Sequence, residues 1–303
     1  MRSPFFSIVI PCYNRAEFLP ETIWSIQKQD FSDFEILLID DGSTDNTQAI
    51  VGKIAAEDGR VLYIYQQNAE RGAARNNGIK NASGEYVIFL DSDDEMQTNC
   101  LQRLNEGIAQ NPGYNFYAAK YDFIGNGKRF SSTMRPIKQG EYDISMVLKG
   151  NPFACNFCIK RNNQGLILFE EDRTLSATED WMFLMENLRH NKIFVFDFIG
   201  VSMHQHTERS MQQNQLLIKR RIKATEQVLQ KIDLSENEKK SLWAYTYQFC
   251  GVHSYLDNNR KQAINFLIKA VRMQGWSKER ILALIKYMIG RSAVTQISTA
   301  FGK

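Results

Sequence analysis

Four short, nearly continuous apolar runs punctuate the start of the chain: FSIVIP (6–11), FEILLID (34–40), VLYIYQQ (61–67) and YVIFLD (86–91). Runs of this length, rich in β-branched and aromatic residues, predict strands buried on both faces. Amphipathic stretches lie between them. EFLPETIWSIQKQ (17–29) sets Leu19, Ile23 and Ile26 on one helical face, NTQAIVGKIAAED (46–58) predicts a second helix, and RGAARNNGIKNA (71–82) a third with a small-residue start. The order βαβαβαβ implies a parallel sheet covered by helices, and such sheets bind ligands beyond the carboxyl ends of their strands.

The polar residues cluster where that rule expects them. PCYN follows the first strand, DDGSTDNT the second and DSDDE the fourth. In the last, Asp91, Asp93, Asp94 and Glu95 crowd together, a costly arrangement unless a cation, donors or solvent compensate. DDGSTDNT could cap the following helix, but a cap needs one such side chain and this loop supplies several. The common nucleotide fingerprints are missing. No GxGxxG follows the first strand, the lone GxG at Gly125–Gly127 follows no such strand, and there is no GxxxxGK[ST]. A D-x-D at a strand end instead suits a hard cation, Mg²⁺ or Mn²⁺, shared with a diphosphate.

These motifs together resemble the start of the family 2 glycosyltransferases, inverting enzymes of GT-A fold. The resemblance rests on FSIVIPCYNRAEFLPETIWSIQKQDFSDFEILLIDDGSTDNT and ERGAARNNGIKNASGEYVIFLDSDDE, about the first hundred residues, and fades afterwards. It implies a Rossmann-like, mostly parallel α/β sheet flanked by helices, with residues 1–115 as the nucleotide-sugar half and 116–210 as the acceptor half of one domain. It assigns Pro11, Tyr13 and Asp41 to the nucleobase, Arg75 to the nucleotide, and Asp91 and Asp93 to the D-x-D. Asp93 or Asp94 would meet the metal, Mn²⁺ or Mg²⁺, and the neighbouring carboxylate the ribose or sugar hydroxyls.

Inverting transfer needs a base facing the acceptor hydroxyl. SATEDWMFLMENLRH (176–190) predicts a helix with Phe183, Leu184 and Leu188 inward, and it resembles the family's ED motif. Asp180 would be the base, with Glu179 and Trp181 beside the sugar; the plainer alternative is a pair of acids favoured by a helix's first turn. In VSMHQHTERSMQ (201–212), His206 with Ser210 loosely resembles the loop over the diphosphate, which makes His206 a further metal or phosphate candidate. The resemblance implies a nucleotide-sugar donor, UDP-linked by expectation, and a glycan or lipid-linked glycan acceptor of the cell envelope. A nucleotidyltransferase and a non-catalytic nucleotide-sugar-binding module are the alternatives. On the acceptor side Tyr117, Tyr121, Phe123, Phe153 and Phe157 would either stack on sugars or fill core.

Composition adds location and a third region. With 303 residues, 43% hydrophobic and 23% charged, the chain is globular. No run of apolar residues reaches a membrane span, and MRSPFFSIVIPCYN turns polar too soon for a signal peptide, so a cytoplasmic location is expected. Five scattered cysteines, Cys155-x-x-Cys158 among them, predict reduced thiols. Residues 211–303 hold 16 Lys+Arg against 6 Asp+Glu, net +10, leaving net −7 in the remainder. This basic region reads as helical, opening on a capping box at Ser235 and Glu238, and its middle pair resembles a tetratricopeptide-type hairpin. Ile281, Leu282, Leu284, Ile285, Met288 and Ile289 among basic residues suggest peripheral contact with an anionic membrane face. Packing on the catalytic domain or across a homodimer is the alternative, and nucleic acid is not an expected partner.

Overall fold

A computed structural model of the chain describes residues 3–205 and 213–290. The chain divides into two compact units, one of residues 1–144 with 151–208 and one of residues 145–150 with 209–303. The first unit opens with β1 (Phe6–Cys12), α1 (Leu19–Gln27), β2 (Phe34–Asp40), α2 (Thr47–Glu57), β3 (Val61–Tyr65), α3 (Glu70–Asn81) and β4 (Tyr86–Phe89), in the expected order. It continues with β5 (Asp94–Met96), α4 (Cys100–Gln110), β6 (Phe116–Gly125), β7 (Lys128–Ser131), β8 (Gly140–Tyr142), β9 (Cys158–Lys160), α5 (Glu179–Leu188) and β10 (Ile193–His204).

All these strands form one sheet, ordered β3-β2-β1-β4-β9-β6-β10-β5, with β7 on β6 and β8 on β10. The first four are parallel: β1 pairs with both β2 and β4, with Val9 opposite Leu37 and Phe89. All seven residues of β1 and all four of β4 are buried, which is why both read as unbroken apolar runs. The chain runs outward from β1 to β3 and then returns to lay β4 on the other side of β1. That reversal puts the loops after β1 and β4 side by side, the place where open α/β sheets bind ligands. β9 joins antiparallel to both β4 and β6, so the second half of the sheet is mixed.

Four of the five acceptor-side aromatic candidates fill core, and the fifth, Phe123, is partly exposed. Tyr117, Tyr121, Phe153 and Phe157 are buried, and Phe169 lies stacked on Phe183 with ring centroids 4.0 Å apart. The α5 helix is not amphipathic, as its sequence suggested, but buried along its whole length: every residue except Asp180 is shielded from solvent. All five cysteines are buried free thiols.

The second unit is helical, with α6 (Asn214–Lys231), α7 (Glu236–Leu256), α8 (Arg260–Gln274) and α9 (Lys278–Ile289). The capping box forms as read, Ser235 N–H donating to Glu238 at 2.7 Å and Glu238 N–H to Ser235 Oγ. Ile218, Cys250 and Phe266 make one small core, and Ala263, Leu267 and Tyr287 another. On α9 only Arg280 and Tyr287 are buried, whereas Ile281, Leu282, Ile285, Met288 and Ile289 are exposed. No helix among the described residues is long and apolar enough to cross a membrane.

One contact sets how closely α3 sits on the sheet. Gly78 faces β1, and a Cβ there would overlap both methyl carbons of Val9, a stiff β-branched side chain on a buried strand. Gly78→Ala is therefore expected to destabilise the first unit by about 1–3 kcal/mol through overpacking, read as a lowered urea midpoint with an unchanged slope.

Candidate active site

The three loops beyond β1, β2 and β3 are stitched to one another. Asn14 N–H donates to Ser43 Oγ, Thr44 N–H to Asn14 Oδ1, Arg15 N–H to Thr47 Oγ1 and Ala16 N–H to Asp45 Oδ2. Asp45 also accepts Thr47 N–H at 3.0 Å, so it closes the turn into α2 while fastening the neighbouring loop. Asp40 is buried and structural, taking bonds from Ser43 N–H and Tyr63 Oη.

Asp41 lies one residue further on, buried at the strand ends. Its carboxylate accepts Gln66 Nε2 and Ala69 N–H, both at 2.7 Å, Glu70 N–H at 2.9 Å and Asn68 Nδ2 at 3.2 Å. Burial raises its pKa while these donors pull the other way. Glu70 reaches this arrangement in the left-handed region, φ 74°, which turns its N–H toward Asp41. Pro11 is buried within β1, opposite Ile39, and Tyr13 is exposed on the loop that follows.

The carboxylates after β4 divide by environment. Asp91 accepts Arg75 Nη2 at 3.0 Å. Asp94 is buried on β5 and accepts His204 N–H at 3.1 Å from β10, while Glu95 meets His204 Nε2 at 2.8 Å. Asp93, between them, is partly exposed. The loop is anchored from α1, where Thr22 Oγ1 donates to the Ser92 carbonyl and Ser25 Oγ accepts Met96 N–H. Among the described residues no group of three or more His, Cys, Asp and Glu side chains could hold a metal ion. A hard cation at Asp93 would take the rest of its shell from a ligand's phosphates and water, the usual coordination of Mg²⁺. His206 lies outside the described residues.

Arg75 is 2% exposed and joins this loop to α5, donating through Nη2 to Asp91 and through Nη1 to Glu179 at 2.8 Å. The rest of α3 serves the same junction. Asn76 accepts Phe169 N–H and donates to the Phe169 carbonyl, both at 2.9 Å, and a Cβ at Gly72 would fall on the Glu170 carbonyl oxygen. Arg71, partly exposed, adds a second guanidinium 3.7 Å from Glu179.

Glu179 and Asp180 consequently differ in ionisation. Burial pushes Glu179 up, but the charges of Arg71 and Arg75 outweigh it and hold the carboxyl below its usual range. For Asp180, burial and then the charge of Glu179 dominate, and its pKa is pushed up to about 6. Asp180 accepts Trp181 N–H at 2.7 Å and Asn151 Nδ2 at 2.8 Å. Trp181, expected to shape a sugar pocket, is 1% exposed and packs in the core, so its contribution to Asp180 is that backbone donor. Sequence reasoning did not find Asn151. Its partner Asp180 lies 29 residues away.

The arrangement sets a half-buried carboxylate with a raised pKa at the start of a buried helix, and a single arginine ties that helix to an acidic loop at the ligand-binding edge. Comparisons with known proteins bear on the fold and the family. A fold resembling that of S. aureus TarS 1–349 in complex with UDP-GlcNAc spans 92% of this chain and 83% of that one, with a TM-score of 0.68 and 21% identity. The GalNAc(5)-diNAcBac-PP-undecaprenol beta-1,3-glucosyltransferase of Campylobacter jejuni is 43% identical over 112 residues, 35% of this chain and 36% of that protein. EpsJ of Bacillus subtilis, an uncharacterized glycosyltransferase, is 40% identical over 123 residues, 39% and 36% of the two chains. These two matches span about a third of the relatives' length. A further uncharacterized glycosyltransferase, from Haemophilus influenzae, is 32% identical over 196 residues, 63% of this chain and 75% of that one. The model of glycosyl transferase family 2 matches residues 7–165, just over half of the chain, and the chain, with its GT-A-like sheet, belongs to that family.

Proposed function

We propose that the protein transfers a sugar from a UDP-linked donor to a hydroxyl of a glycan or lipid-linked glycan, with inversion, and that Asp180 is the general base. The observation that carries this reading is the solvent access of Asp180, the single residue of α5 that is not buried, together with its raised pKa. The acceptor hydroxyl would give its proton to Asp180 as its oxygen attacks the anomeric carbon and the bond from that carbon to the diphosphate breaks. Glu179, held ionised by two guanidinium groups, keeps Asp180 basic enough to take that proton near neutrality.

The donor half would be bound by the loops after β1, β2 and β4. Asp41 and Tyr13 would meet the base, and Asp93 would hold Mn²⁺ or Mg²⁺ against the diphosphate; Asp94 has one oxygen committed to His204 N–H. A bound cation would offset the charge growing on the leaving group. The UDP and UDP-GlcNAc complexes of TarS support a uridine donor, and the undecaprenol-linked acceptor in the name of the C. jejuni relative supports a lipid-linked one.

A lipid-linked acceptor would require contact with a membrane face, and the second unit would supply it. Its α8 carries Arg260, Lys261, Lys269 and Arg272 with no acidic residue, and α9 exposes its apolar stripe beside Lys278 and Lys286. Such a surface gains from both apolar burial and attraction to anionic lipid, about 1 kcal/mol per basic residue near the surface.

Four outcomes are expected. Asp180→Asn should bind UDP-sugar normally and lose turnover by about 10²-fold or more; a parallel fall in donor affinity would make it a binding residue instead. Because the base must be ionised, turnover of the unmodified protein should fall about tenfold per pH unit below about 6, which a pH–rate profile tests. Asp93→Ala and EDTA should each abolish transfer with the fold intact by circular dichroism, and full activity in EDTA would remove the metal from the mechanism. On anionic liposomes, low salt should give sedimentation that high salt and a paired Ile285→Glu, Met288→Glu substitution abolish; absence of binding at low salt would rule the membrane contact out.

A further inference from the structure

The two donors to Asp180 differ in origin. The Trp181 N–H belongs to the same helix, whereas Asn151 reaches Oδ2 from a separate turn. That turn is built around the Asn151 amide. Its Oδ1 accepts Phe153 N–H at 3.0 Å, and its Nδ2 donates to the Ala154 carbonyl at 2.7 Å as well as to Asp180. Phe153 is fully buried, and Ala154 holds the left-handed conformation at φ 52° that closes the turn. Because Phe153 N–H can meet only the oxygen, the amide cannot be flipped, and its NH₂ must face the carboxylate.

On the reading of Asp180 as the base, we propose that Asn151 is a positioning residue that fixes Oδ2 of Asp180, so that the carboxylate presents its unused lone pairs to the acceptor hydroxyl in one orientation. Asn151 does not touch the reacting atoms. The charged and titratable groups around this carboxylate are Arg71 and Arg75 from α3, Glu179 on α5, and Asp91 and the Cys155 thiol on the flanking loops. Against that set Asn151 is a neutral donor, and donation to a carboxylate favours its charged form.

The deciding variant is Asn151→Asp, which keeps an oxygen for Phe153 N–H and a residue suited to the turn, but replaces the donor with a second carboxylate. Asn151→Ser, which can support the turn but is too short to reach Asp180, serves if the first does not fold. Two readouts apply to the full chain. One is a ¹³C NMR titration of the Asp180 carboxyl in aspartate-labelled protein, identified by its disappearance in Asp180→Asn. The other is the pH dependence of UDP release from UDP-GlcNAc.

The expected result is a titration midpoint higher by about one unit or more, kcat lower by about tenfold at neutral pH and partly recovered at higher pH, and donor KM within about twofold. A folded variant with the unmodified protein's midpoint and kcat would overturn the proposal, because a purely structural turn residue would move neither. The Asp180→Asn control separates the two readings. If it retains turnover, the base assignment fails while the midpoint shift still measures the Asn151 contact; if it is inactive and the midpoint is unmoved, the positioning role fails alone.

Discussion

A buried guanidinium must be matched by carboxylates, since an unpaired charge in the interior costs several kcal/mol. Arg75 meets that constraint by drawing together two parts of the chain far apart in sequence, Asp91 and Glu179, on either side of itself. Its place on α3 follows from the glycines that let this helix approach both β1 and the Glu170 backbone. The same helix holds Phe169 through Asn76, which sets the Phe169 ring on Phe183 of α5. The end of β4 and the start of α5 thus share one support, and the acidic loop and the carboxylate pair cannot drift independently.

The pairing also decides the electrostatics. Two adjacent carboxyl groups on one helix would ordinarily be near-equivalents, and environments that push their pKa values apart separate their roles. Here the guanidinium groups engage Glu179 and leave Asp180 to feel burial and a neighbouring negative charge. Glu179 stabilises the junction and Asp180 retains access to solvent. The loops after β1 and β2 show a comparable division, with Asp40 and Asp45 holding the loops together and Asp41 lying at the mouth of the strands.

Local pattern made the first half of the fold legible. The strands β1 to β4 are buried on both faces and so appear as unbroken apolar runs, and the loops that follow them are where polar residues gather. The acidic loop was readable for the same reason. What the chain did not reveal is anything that depends on a distant partner. Arg75 reads as a ligand-facing arginine until Glu179, 104 residues later, is seen bound to it. The resemblance of the ED motif implies a place for Trp181 beside the sugar, yet burial of the helix around it leaves it no surface. Asp94 looks equivalent to Asp93 in sequence, and only the pairing of β5 with β10 turns it inward. Asn151 carries no periodic signal at all.

The five buried thiols have a practical consequence. Cys12, Cys100, Cys155 and Cys158 lie in the sheet unit and Cys250 in the helical one, each shielded from a bulky reagent while its surroundings stay folded. A disulfide dye can react with such a thiol only when the structure around it opens, so labelling rates report local opening site by site. The natural sequence therefore carries its own set of unfolding clocks. Mass spectrometry of the labelled peptides would show whether the helical unit opens before the sheet, without a single engineered cysteine.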